Sequence, residues 1–211
     1  MIIENVRGIL DAIFQDYRNA FSKQMDKLGY WSDWHLVNSS DFGVPQLRPR
    51  VLFVALRKGT EQNFSWPDKL QVKPPTVGEC LYDLMAANGW KGAKAWKAVA
   101  NEIAPTIVGG SKKHGGPDLG PTRAKRAWES LGINGHLIAK EAPGPDFLGM
   151  PHLTVRMVAR LQGFPDDWQF SGAKTAAYRQ VGNAFPPPVA KTIASEVRQC
   201  LEAYPMLRKL A

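Results

Sequence analysis

The chain has 211 residues, 44% of them hydrophobic, with seven tryptophans and a formal net charge of +8. That is enough apolar material for one good-sized domain or two small ones, and it excludes a disordered chain. The positive excess admits a polyanionic partner, while no apolar run reaches the roughly 20 residues that cross a bilayer.

Met1–Val6 reads as a strand beginning at the first residue, without the basic region or cleavage pattern of a signal peptide. Apolar residues then recur every three or four positions, at Ile9, Leu10, Ile13, Phe14, Tyr17, Phe21, Met25 and Leu28. This spacing predicts an amphipathic helix stopped by Gly29. Trp34–Val37 is predicted as a short second strand, followed by a polar loop from Asn38 to Gly43. Val51–Leu56 is a continuous apolar run, as expected for a strand covered on both faces. Three strands and one helix make a poor sheet, and an unpaired first strand leaves an apolar edge. The expectation is that something outside the chain completes it.

From about Gly59 to Met150, prolines and glycines break the pattern into a loop-rich lobe, with short helices predicted at Cys80–Ala87, Lys94–Ile103 and Thr122–Leu131. Basic residues cluster here as Lys91, Lys94 and Lys97, as Lys112, Lys113 and His114, and as Arg123, Lys125 and Arg126. Trp66, Trp90, Trp96 and Trp128 interleave with them, a pattern that suits nucleic acid. Acidic residues are interspersed, so a solvated face of mixed charge is the alternative. Gly109–Gly116 lacks both the leading strand and the Lys-Ser or Lys-Thr of a phosphate loop. Further on, Thr154 is expected to cap a helix running to Leu161 and ended by Gly163, and Thr175 or Ala176 to start another. After Pro186-Pro187-Pro188 a final helix carries Val189, Ile193, Val197, Leu201 and Tyr204 on one face, with Cys200 beside it in a packing role.

The two cysteines, Cys80 and Cys200, are far apart, and the four histidines have no paired spacing. Neither a disulfide framework nor a structural zinc is expected, and free thiols suit a reducing cytoplasm. Gln46-Leu47-Arg48-Pro49-Arg50 stands just before the buried strand. Two arginines two apart project from one side of an extended segment, an arrangement that can grip phosphate or a planar polar base. A solvated basic loop would have the same composition.

Taken in series, Ile3-Glu4-Asn5-Val6, Gly29-Tyr30, Phe42-Gly43-Val44-Pro45-Gln46-Leu47-Arg48-Pro49-Arg50, Arg160-Leu161-Gln162-Gly163-Phe164-Pro165 and Gln180-Val181-Gly182-Asn183-Ala184 resemble the DNA (cytosine-5) methyltransferases in order and spacing. The resemblance implies that Glu4 is the carboxyl that holds the flipped cytosine at ring nitrogen 3 and the exocyclic amine, with Asn5 fixing the backbone of that turn. It implies that Arg48 and Arg50 order the catalytic loop, contact the phosphate beside the flipped base and reach cytosine oxygen 2. Asn183 resembles the residue that closes the S-adenosyl-L-methionine pocket, and Phe164 one that approaches the same cofactor. Residues 59–150 match the family's target-recognition lobe on double-stranded DNA, with Pro105-Thr106-Ile107 resembling its short Thr-aliphatic element. Gln46, Lys112, Lys113, Arg123, Lys125 and Arg126 are the accompanying base or DNA contacts.

The chain departs from the family at the nucleophile. The family's Pro-Cys precedes the Glu-Asn-Val element, whereas Cys80 follows Glu79 and Cys200 lies on the final helix, and the Phe-x-Gly-x-Gly cofactor loop is absent. The expected fold is therefore α/β: the C-terminal part of a Rossmann-like methyltransferase sheet (1–58), a smaller target-recognition lobe (59–150) and helices returning to the catalytic domain (151–211). The expected function is that of a C-terminal component of a cytosine-5 methyltransferase, inactive alone. An N-terminal half or subunit would supply the nucleophile and most of the S-adenosyl-L-methionine site. The alternative from another class is a non-catalytic DNA-binding or regulatory module, which would have no use for Glu4, Arg48 and Arg50.

Overall fold

The computed structural model describes residues 1–109 and 117–204. Its sheet has three strands, β1 (Ile2–Val6), β2 (Tyr30–Asn38) and β3 (Pro49–Arg57), in the order β1-β3-β2 with both pairings antiparallel. β3 lies in the middle, and Val51 through Ala55 are 0% exposed, so the unbroken apolar run is explained by cover on both faces. The faces alternate along the strand. Leu52, Val54 and Leu56 pack on Val189, Ile193 and Cys200 of α7 (Pro187–Glu202), while Phe53 and Ala55 pack on Met25 of α1 (Gln15–Lys27). β2 is longer than the predicted Trp34–Val37, because its hydrogen-bonded register with β3 runs from Tyr30 to Asn38. β1 forms an edge, with Ile2 and Val6 exposed.

The predicted first helix is broken. Two single 3-10 turns at Arg7–Leu10 and Ala12–Phe14 precede α1, because Asp11 between them is extended. Arg18 ties these turns together by donating to the carbonyls of Ile9 and Asp11. Ile13 and Tyr17 are consequently exposed, and of the predicted apolar stripe only Met25 is fully buried within α1.

The largest core lies elsewhere. It joins α2 (Val77–Ala86), α3 (Ala93–Val99) and α4 (Thr122–Glu129) with α5 (Val155–Leu161) and α6 (Lys174–Asn183), around Leu81, Trp96, Trp128, Val158 and Tyr178. The lobe expected to be smaller and loop-rich thus contributes to the main hydrophobic core. Its tryptophans explain the difference. Trp90, Trp96 and Trp128 are buried in that core instead of standing among the basic residues as stacking platforms. Trp66 covers β2, stacking on His35 and donating to Asp33. The sequence around Gln180–Asn183, which reads as a turn, is the last turn of α6. No helix among the described residues is long and apolar enough to cross a membrane.

One polar clamp holds this core. Arg160 on α5 grips both oxygens of Asp166, donates to Asp83 on α2 and reaches the carbonyl of Cys80. The guanidinium holds the Asp83 and Asp166 carboxyls below the usual Asp range. Depressed carboxylates add stability above the ordinary Asp pKa, and that contribution is lost as pH falls through the folded value. Since Asp166 is about half exposed, the pair contributes at most about 1 kcal/mol. Asp166→Asn is expected to lower unfolding free energy by about 0.5–1 kcal/mol at neutral pH. Urea titrations should show the gap between variant and parent closing below about pH 4.

Candidate active site

The end of the sheet where β1 leaves β3 brings the acidic and basic candidates together. Val6 pairs with Arg50 and Glu4 with Leu52, so Glu4 and Arg50 sit diagonally on the same face. Arg50 Nε meets Glu4 Oε1 at 2.6 Å, and Arg50 Nη1 donates to the carbonyl of Pro49. Burial lowers the proton affinity of Arg50, and the Glu4 carboxylate restores part of it. Among the described residues, Glu4 Oε2 and Arg50 Nη2 make no hydrogen bond. A fixed carboxylate oxygen, an open one and an open guanidinium nitrogen lie side by side. Asn5 accepts from the backbone N–H of Val6, which locks the turn leaving β1.

Arg48 does something different from its expected contact with phosphate and base. It is 1% exposed, and its guanidinium donates to the carbonyls of Ile107 at 2.6 Å, Gly182 at 2.9 Å and Ala184 at 3.1 Å. Burial, with help from Arg50, lowers its pKa to about 10, against the opposing pull of Glu4. Its two terminal nitrogens are committed to backbone carbonyls, while Nε is buried without a partner among the described residues. Gln46, expected at the DNA, is 0% exposed and belongs to the same network. Its Oε1 accepts from Ile107 N, and its Nε2 donates to Gln162, which in turn donates to the carbonyls of Val181 and Ala184. Gln162 was not singled out from the sequence. The signal was present in the Arg-Leu-Gln-Gly-Phe-Pro element, but only the fold shows that it meets Gln46 across more than a hundred residues.

The remaining candidates divide. Asn183 is exposed at the end of α6, beside the Arg48 network. Phe164 lies partly buried in an aromatic cluster with Trp168 and Phe170 against the main core. On α4, Arg123 and Arg126 are exposed, whereas Lys125 is tied to Asp118 at 2.7 Å. Lys112 and Lys113 lie outside the described residues. Thr106 of the Pro105-Thr106-Ile107 element donates to the carbonyl of Leu47, stitching the lobe to the segment before β3. Both thiols are packing groups. Burial pushes Cys80 up to about 11, and Cys200 donates to the carbonyl of Thr60. Among the described residues, no cluster of three or more His, Cys, Asp or Glu is placed to hold a metal.

With this geometry in place, the comparisons are specific. The family described as C-5 cytosine-specific DNA methylase matches residues 1–199. Type II methyltransferase M.NaeI of Lentzea aerocolonigenes is 54% identical over 204 residues, covering 95% of this chain and 49% of that protein. Type II methyltransferase M.NgoMIV of Neisseria gonorrhoeae is 48% identical over 209 residues, covering 96% of this chain and 65% of that protein. The chain thus spans about half to two thirds of the length of these curated relatives. A prophage-encoded DNA modification methyltransferase from E. coli superposes with a TM-score of 0.57 at 21% identity, over 95% of this chain and 69% of that one, a likeness of fold alone.

These findings correct several expectations. The family match and the fold likeness run through sheet, lobe and final helices alike. The methyltransferase fold therefore frames the chain as a whole, not a C-terminal part of a sheet with an appended lobe. Each relative carries the matched region inside one longer polypeptide, which overturns the expected N-terminal partner subunit. Family membership, with 54% identity over 49% of the length of a type II methyltransferase, likewise stands in place of the expected inactive component and its DNA-binding alternative. The family match runs over residues 1–199, so the S-adenosyl-L-methionine site is not assigned mainly to a missing half.

The Arg48 network yields a direct test. Arg48→Met would leave the Ile107 and Gly182 carbonyls without their donor, while Gln162 still serves Ala184, and is expected to cost about 2–6 kcal/mol of unfolding free energy in urea titrations. Arg48→Lys, with a charge but no planar fork, should recover only part of it.

Proposed function

The chain belongs to the C-5 cytosine-specific DNA methylase family, and from that premise we propose that it works in methyl transfer to carbon 5 of cytosine in duplex DNA, within restriction-modification. The observation that carries this reading is the Glu4–Arg50 pair, which presents open hydrogen-bonding atoms at the sheet end. Enzymes that modify a base in a duplex must take it out of the stack and read its Watson–Crick edge. Glu4 is placed to share a proton with ring nitrogen 3 through its open oxygen while the other accepts from the exocyclic amine. Arg50 is placed beside it to donate to oxygen 2. Hydrogen bonding to nitrogen 3 drains electron density from the ring and so favours attack of a nucleophile at carbon 6, a role that neither packed thiol, Cys80 or Cys200, fills.

The donor, S-adenosyl-L-methionine, supplies the methyl group when bound. Asn183 fits this role because its side chain is exposed at the end of α6, where Arg48 fixes the Gly182 and Ala184 carbonyls on either side. Arg123 and Arg126 on α4 offer charge to the DNA backbone.

Glu4→Gln separates holding the base from moving the proton. The amide can still donate to nitrogen 3 and accept from the amine, but it cannot deliver a proton. Transfer of labelled methyl from S-adenosyl-L-methionine to duplex DNA by natively purified protein is expected to fall about 100-fold or more. DNA affinity should stay within about threefold of the parent. Equal turnover of variant and parent would remove Glu4 from the chemistry.

A further inference from the structure

The recognition lobe and the donor turn meet on one helix. At the end of α6, Gly182 lies so close to Gly109 that a Cβ on Gly182 would stand 2.5 Å from the Gly109 Cα. A Cβ on Gly109 would in turn stand 2.6 Å from Asn183 Cγ. Only paired glycines allow this approach, and the backbone of the lobe thereby sets where the Asn183 side chain can go. Further up the helix, the Tyr178 hydroxyl donates to the carbonyl of Asp118 at 2.7 Å, with its ring fully buried. The carboxylate of Asp118 holds Lys125 of α4 and accepts from Gly120 N, just before that helix begins. Gly120 in turn abuts Val108, the neighbour of Gly109. α4, the Asp118–Gly120 turn, the Val108–Gly109 segment and α6 are thus in continuous contact.

We propose that Gly109 and Tyr178 are positioning residues that couple DNA held on α4 to the methyl donor at Asn183, so that each ligand tightens binding of the other. This rests on the functional reading above. A ligand that orders the α4 end fixes the Asp118 turn, and through Tyr178 and Gly109 it fixes the Asn183 end. The second ligand then meets a site already in place. Linkage requires the effect to be reciprocal.

The test measures affinity for a duplex selected from a random-sequence pool, with and without saturating S-adenosylhomocysteine, and affinity for S-adenosylhomocysteine with and without that duplex. The wild-type protein is expected to show the same ratio in both directions, about fivefold or more. Tyr178→Phe keeps the ring and the packing and removes only the hydroxyl's bond to the Asp118 carbonyl. It should bring the ratio to within about twofold of one while leaving donor affinity without DNA within about twofold of wild type. Gly109→Ala should abolish the ratio and also weaken donor binding, since the added methyl strikes Asn183. A ratio of one in wild-type protein that binds both ligands overturns the proposal, as does an unchanged ratio in Tyr178→Phe. Wild-type protein that fails to bind the duplex, or fails to bind S-adenosylhomocysteine, overturns the functional reading, and the coupling falls with it.

Discussion

A buried guanidinium without carboxylate partners organises this molecule. Taking Arg48 out of water carries a desolvation cost of several kcal/mol, and it is offset only because three carbonyls from two distant segments converge on it. Those carbonyls belong to Ile107 in the lobe and to Gly182 and Ala184 at the end of α6. The charge therefore fixes three parts of the chain relative to one another: the segment entering β3, the lobe and the donor turn. Gln46 and Gln162 extend the same network by satisfying further backbone groups around it. A hydrophobic contact could hold the same distances, but it would not specify which carbonyls face inward. Directional donors do.

The consequence for the site is electrostatic as well as geometric. Burial weakens the hold of both Arg48 and Arg50 on a proton, Arg50 adds to that effect at Arg48, and Glu4 opposes it at both. Glu4 therefore lies beside two cations, one spent inside the protein and one partly open to a ligand. A carboxylate in such a place stays close to its partner yet, among the described residues, keeps one oxygen free. β1 adds to this by being short and lying at the edge, so Glu4 is fixed by backbone pairing on one side only.

What was legible in the sequence follows from what kind of signal each residue leaves. The β3 run and the amphipathic face of α7 could be read directly, since period and continuity reflect burial. Glu4 and Arg50 could be named from the series of short elements in order, although nothing in their spacing says that they touch. Arg48 and Arg50 cannot be told apart in the sequence, because two arginines two apart look equivalent on an extended segment. Only tertiary context decides that one turns inward to carbonyls and the other meets Glu4. The tryptophans misled for a related reason. Interleaving with lysines in sequence says nothing of direction, and on α3 and α4 the indoles face the core while the charges face out. The helix predicted from Ile9 failed because apolar periodicity continues through Asp11, where the backbone is extended and helical hydrogen bonding stops.

The glycines show how the same constraint reaches the donor turn. Gly109 and Gly182 leave no composition signal that separates them from the other loop glycines, and their importance comes from an absence of atoms. Where two backbones touch, a methyl group on either would have to displace a chain that Arg48 already holds by its carbonyls. The contact is therefore not adjustable in one place alone. Moving the Gly182 end disturbs the Arg48 donors, and moving the Gly109 end disturbs Ile107, two residues before it. A site assembled this way responds as a unit. That is the physical reason to expect events on the lobe and at Asn183 to be felt together.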